Sequence, residues 1–281
     1  MQELEKRLEK KLQEYVSIIA EEYHEYIPES KKRFLKSITS FEKCISISDT
    51  GTISLFYRNN KIYLPKLAFL VLEQLKEHKQ YGFDPNHKCY NEETIISNSN
   101  TFLDYINHAI LKGLTPEEYY QENLLHEAMH FCGCGGANPL LEGITELKTR
   151  ELAKKKGLIT SGCGYPKEVE VVLRLQKIFG EKLINTIVFS DRTLSETVEA
   201  ISGSEIASLY RTINVKMSES SYQYLTAKFD GKDAHIKKAQ LYNKIDYSSV
   251  HELLDQYELN QMLSGKINLE NEKGDVKWYH K

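Results

Sequence analysis

Leu4, Leu8, Leu12, Val16, Ile19, Tyr23 and Ile27 recur every three or four residues, so residues 1–27 read as an amphipathic helix that ends near Pro28. Such a face packs against its own domain or, alternatively, against a partner or a membrane surface. From Cys44 to Pro65 the period drops to two. Ile45 and Ile47, then Ile53, Leu55 and Tyr57, then Ile62, Tyr63 and Leu64 mark the pattern, broken by Asp49-Thr50-Gly51 and by Asn59-Asn60. That pattern predicts two hairpins of a small antiparallel sheet. Helical spacing resumes over 66–79, residues 81–100 read as an irregular loop rich in Asn, Asp, Pro and Gly, and most of the remaining chain reads as helix.

Helix punctuation is clearest in the middle third. Thr115 as N-cap, Pro116 at the first helical position and Glu118 as the partner of a capping box start a helix that runs to Phe131 and stops at Gly133. Asn138-Pro139 repeats the start signal for a helix ending at Lys156-Gly157, and Tyr165-Pro166 opens a third that closes at Gly180. The polar, Tyr- and Lys-rich stretch after Met217 carries the weakest pattern. The expected fold class is therefore α+β and mostly helical. Residues 1–113 would hold the N-terminal helix, the small sheet and supporting helices, and 114–281 a helical region, together one compact unit.

Composition narrows the classes. A hydrophobic fraction of 41%, charged residues at 27% and a net charge of -3 are those of an ordinary globular protein, with no field to attract a polyanion, so nucleic acid is not an expected partner. No apolar run reaches the roughly 18 residues of a membrane span, and the first residues lack a signal-peptide core; the chain reads as cytoplasmic. Five cysteines at scattered spacing fit reduced thiols rather than a disulfide framework.

Candidate chemistry lies on the 116–131 helix, which contains His126-Glu127-Ala128-Met129-His130. Two histidines four residues apart share a helix face, so both imidazoles can reach one metal ion at ~2.0–2.1 Å. Glu127 is turned about 100° from His126, where its carboxylate can face a water held by the metal and act as general base. With 9 histidines in 281 residues, HExxH would arise by accident only about 0.03 times. The competing view, two surface histidines beside a solvated Glu, fits poorly with Leu124, Leu125, Ala128, Met129 and Phe131, which make the helix apolar on all sides.

A catalytic zinc site needs a third protein ligand. The metzincin continuation HExxHxxGxxH is followed as far as Gly133, but Gly136 stands where its third His belongs. The next helix instead carries Glu142-Gly-Ile-Thr-Glu146. HExxH followed by this EGxxE resembles the gluzincin zinc metallopeptidases, over roughly residues 115–156. The resemblance implies a zincin-like fold, with the small sheet ahead of the active-site helix. It implies Zn2+ held by His126, His130 and Glu142, with Glu146 bonded to a ligating histidine and fixing its tautomer. It also implies a peptide or protein substrate. Glu142 and Glu146 share a helix face, and Gly133, Gly135 and Gly136 allow the reversal that brings this helix back; exchanged roles for the two carboxylates stay open.

Tyr165 and Tyr210 are the candidates to stabilise an oxyanion, each also explicable as an amphipathic core residue. His235 and His251 sit among polar neighbours and read as solvated. Cys132, Cys134 and Cys163 lack the CxxC spacing of a thiolate site and read as small turn residues, with a metal role or replacement of Glu142 as the alternative. The expectation is a zinc metallopeptidase with Glu127 as general base; the alternative is a catalytically inactive zincin-fold module that binds zinc or a partner.

Overall fold

The computed structural model describes residues 2–38, 41, 44–48, 56–58, 61–65, 116–133, 138–160, 164–227 and 240–264. In chain order these form α1 (Gln2–Glu22), α2 (Glu29–Ser37), β1 (Ile45–Ser48), β2 (Phe56–Arg58), β3 (Lys61–Pro65), α3 (Pro116–Cys132), α4 (Pro139–Lys156), α5 (Pro166–Phe179), α6 (Glu181–Phe189), α7 (Leu194–Ser220), α8 (Tyr222–Thr226) and α9 (Ser248–Leu263). The described residues are mostly helical, and none of their helices is long and apolar enough to cross a membrane. The helix read over 66–79, the loop at 81–100 and the Thr115 cap lie outside the described residues.

α3 is the centre of the packing. Leu124, Leu125, Ala128, Met129, Phe131 and Cys132 are fully buried, as expected of a helix apolar all round. α1 covers one side with the periodic positions Leu8, Leu12, Val16 and Ile19, and with Tyr15, all buried. On another side Phe34 of α2 and Phe41 meet Phe131, with ring centroids 5.8 and 6.1 Å apart. α4 packs against α3 and more extensively against α5, and α6, α7 and α9 continue the helical layer behind them.

The sheet departs from the expected antiparallel arrangement. Its order is β1-β3-β2, with β2 and β3 antiparallel but β1 and β3 parallel, Ile45 opposite Ile62 and Ile47 opposite Leu64. Among the described residues the second expected hairpin forms, Arg58 pairing with Lys61, while β1 pairs with β3 and not with β2. Alternation tells which face of a strand is buried and says nothing of its neighbour's identity or direction. The same Ile45 and Ile62 therefore serve a parallel pair as well as an antiparallel one, and both are buried.

The helix boundaries near the site follow local chemistry. Asn138 accepts a hydrogen bond from the Leu140 amide at 2.9 Å, and Pro139 occupies the first turn. Gly157 closes α4 in the left-handed region at φ 64°, which glycine adopts without penalty. α4 meets α5 at Gly143, where a Cβ would come within 2.8 Å of the Glu168 backbone; the absent side chain is what lets the two helices approach.

Candidate metal centre

α3 and α4 bring the two predicted motifs face to face. His126 and His130 project from successive turns of α3, with ring centroids 4.9 Å apart and planes crossed at 74°. Glu142, in the first turn of α4, puts Oε2 3.2 Å from the Nε2 of each. One atom from each of the three residues lies within 4.8 Å of the other two, which no other His, Cys, Asp or Glu group does among the described residues. Donors held ~2.0–2.1 Å from a tetrahedral ion stand roughly 3.3 Å from each other, so both 3.2 Å separations have the length of an edge of such a site.

Protonation points the same way. His126 faces Glu142 through Nε2 and Glu146 through Nδ1, at 3.2 and 2.9 Å. Carboxylates only accept, so satisfying both requires an imidazolium that donates from both nitrogens. Burial works against that charge, but the bonds to Glu142 and Glu146 outweigh it and raise the His126 pKa well above its usual value. Burial likewise opposes charge on Glu142, and His130 and His126 nevertheless hold its carboxyl far below the usual carboxylate range. A cation at the convergence point would take the place of the shared protons and leave Nδ1–H of His126 donating to Glu146, the arrangement that supports a ligating histidine. The residues present thus fit a divalent metal.

Glu146 is nearly inaccessible, and despite its burial the bond and charge of His126, together with Arg150, keep its pKa low. Its other oxygen, Oε1, accepts from Arg150 Nε at 2.8 Å, and Arg150 Nη2 also donates to the Gly164 carbonyl. Sequence reasoning passed over Arg150, although its place one turn beyond Glu146 was the available signal. Glu127 is buried on α3, next in sequence to His126. Tyr165 reaches the site: its ring stacks on His126 at 5.5 Å and 19°, and burial, with Glu142 close by, raises its hydroxyl pKa well above the ordinary value. Its backbone is left-handed, φ 47° and ψ 48°, the single positive-φ residue other than glycine among those described.

The other candidates are elsewhere. Tyr210 is fully buried against Phe179, with its hydroxyl unpartnered among the described residues. Burial pushes the Cys132 thiol up to about 12, which leaves it a small hydrophobe rather than a thiolate ligand. Cys134, Cys163 and His235 lie outside the described residues, and His251 is half-buried on α9, its carbonyl accepting from Arg174. A cavity of about 280 Å³ between α1, α4 and α6, lined by Glu22, Tyr23, Glu151 and Asn185 among others, contains none of the site residues.

No family model, curated protein or solved structure matches this chain.

Proposed function

We propose that this protein is a zinc-dependent metallopeptidase of the gluzincin type, with a zincin-like fold, His126, His130 and Glu142 as ligands and Glu127 as general base. The observation that carries the reading is the approach of Glu142 Oε2 to both histidine Nε2 atoms at 3.2 Å, with Glu146 on the far nitrogen of His126. Two imidazoles and a carboxylate are the donor set of catalytic zinc in many peptidases and leave a coordination position open. Bound there, zinc would supply Lewis acidity towards a scissile carbonyl and acidify a water.

The chain's own groups provide the rest. Glu127, one residue after His126 and turned about 100° around the helix, takes the proton from the attacking water and returns it to the leaving amine. Tyr165 stays a phenol at neutral pH, since burial and the nearby Glu142 oppose its ionisation, and so keeps a proton to donate to developing negative charge. Glu146 holds the His126 tautomer. The near-complete burial of His126, Glu127 and His130 limits competing water.

The variant Glu127→Gln tests the assignment, because it keeps size and polarity and removes the basic oxygen. Zinc content should stay near one per chain while cleavage of a peptide library falls by about 10²–10⁴. Cleavage equal to the wild type overturns the role of Glu127, and loss of zinc makes it a structural part of the site. A wild-type protein that binds zinc and cleaves no peptide leaves the inactive zinc-binding module as the function.

A further inference from the structure

We infer that Arg150 is the positioning residue of this site, its guanidinium tying the Glu146 carboxylate to the Gly164–Tyr165 turn so that both constrain His126. The inference rests on the metallopeptidase reading and extends it to a residue on which HExxH and EGxxE are silent.

The two bonds leave Arg150 from neighbouring nitrogens of one rigid plane. Nε donates to Glu146 Oε1 at 2.8 Å and Nη2 to the carbonyl of Gly164. Glu146 then spends its oxygens on two partners, Arg150 at Oε1 and His126 Nδ1 at Oε2, 2.9 Å away. A buried carboxylate with both oxygens engaged has no free rotation left. Gly164 closes its third side, since a Cβ at that position would stand 2.9 Å from the Glu146 carboxylate. The next residue, Tyr165, lies flat on the His126 ring from a left-handed backbone that L side chains disfavour. Arg150 therefore fastens what contacts the edge of the imidazole and anchors the turn that covers its face. His130 has no comparable support: its Nδ1 is buried without a hydrogen-bond partner among the described residues. Pre-orientation of the ligand set is concentrated on His126, and Arg150 is the common holder of both contacts.

Lysine cannot replace this arrangement, because an ammonium is a point donor and lacks the planar fork of donors. The experiment measures zinc affinity of the full chain by competition with a chromophoric chelator for wild type, R150Q, R150K, E146Q and the R150Q/E146Q double variant. Circular dichroism and the thermal midpoint of each metal-free protein report folding. R150Q should weaken zinc by about tenfold or more, as losses around a ligating histidine typically do, and R150K should recover little of it. In the E146Q background the R150Q penalty should shrink to less than about threefold, since Arg150 acts largely through Glu146. R150K reports in place of an R150Q protein that fails to fold. Wild-type affinity in R150Q or R150K overturns the inference, as does an equal penalty in the two backgrounds, which would assign Arg150 to general stability. A wild-type protein with no affinity for zinc fails before any variant is compared, and that result overturns the metallopeptidase reading itself.

Discussion

The two imidazoles of the cluster are held unequally, and their carboxylates do different work. Glu142 reaches both histidines at Nε2, whereas Glu146 reaches only the outer nitrogen of His126. Glu142→Ala should therefore empty the site about as thoroughly as His126→Ala, while Glu146→Ala should cost about 10- to 100-fold in zinc affinity. Zinc retained per chain after dialysis against a graded chelator series checks this, and the reverse order of the two Glu variants would exchange their roles. These residues were legible in sequence because a helix converts a spacing of four into a shared face. The stacking of Tyr165 on His126 was not. It depends on a left-handed residue at the head of α5 and on where α4 and α5 meet, neither of which leaves a periodic trace.

At the scale of elements, the approach of α4 to α5 is set by a missing side chain. In a helix interior Gly→Ala ordinarily stabilises by about 0.5–1 kcal/mol, but at Gly143 the added methyl would meet the backbone of Glu168 at 2.8 Å, which cannot rotate away. Gly143→Ala should destabilise by about 1–3 kcal/mol, seen as a lower thermal midpoint. It should also weaken zinc binding, because Glu142 is the adjacent residue. An unchanged or raised midpoint would show that the two helices separate without penalty. The caps of α4 were readable from Asn138 and Gly157 because capping is settled within a few residues. α2 left a shorter signal: the 9 residues of Glu29–Ser37 carry Phe34 and Leu35 as their large apolar side chains, too few to mark a repeat. Strand order was equally silent, since β1 is paired by a partner that follows it only after β2.

Among the described residues, buried side chains from α1, the sheet, α3 through α7 and α9 belong to one hydrophobic cluster, so the site and its support should unfold together. Titration at the site is then a property of global stability. In metal-free protein the lowered pKa values of Glu142 and Glu146 contribute stability above their ordinary value of 4.5, lost as pH falls through the folded values. The raised pKa of His126 contributes below its ordinary 6.5, and that is lost as pH rises through the folded value. Metal-free protein should be most stable between these limits. Zinc competes with the proton on His126, so the rise in thermal midpoint on adding zinc should grow between about pH 5 and about pH 8. An increment independent of pH would mean that zinc binds without displacing a proton from His126.

The packing of α1 on α3 has a consequence for synthesis. The face that carries Leu8, Leu12 and Ile19 leaves the ribosome about 110 residues ahead of the end of its partner helix. At ordinary elongation rates of about 5–20 residues per second, that is a wait of roughly 5 to 20 s. Throughout that interval the nascent chain carries an unsheltered apolar stripe, the kind of surface to which holding chaperones attach.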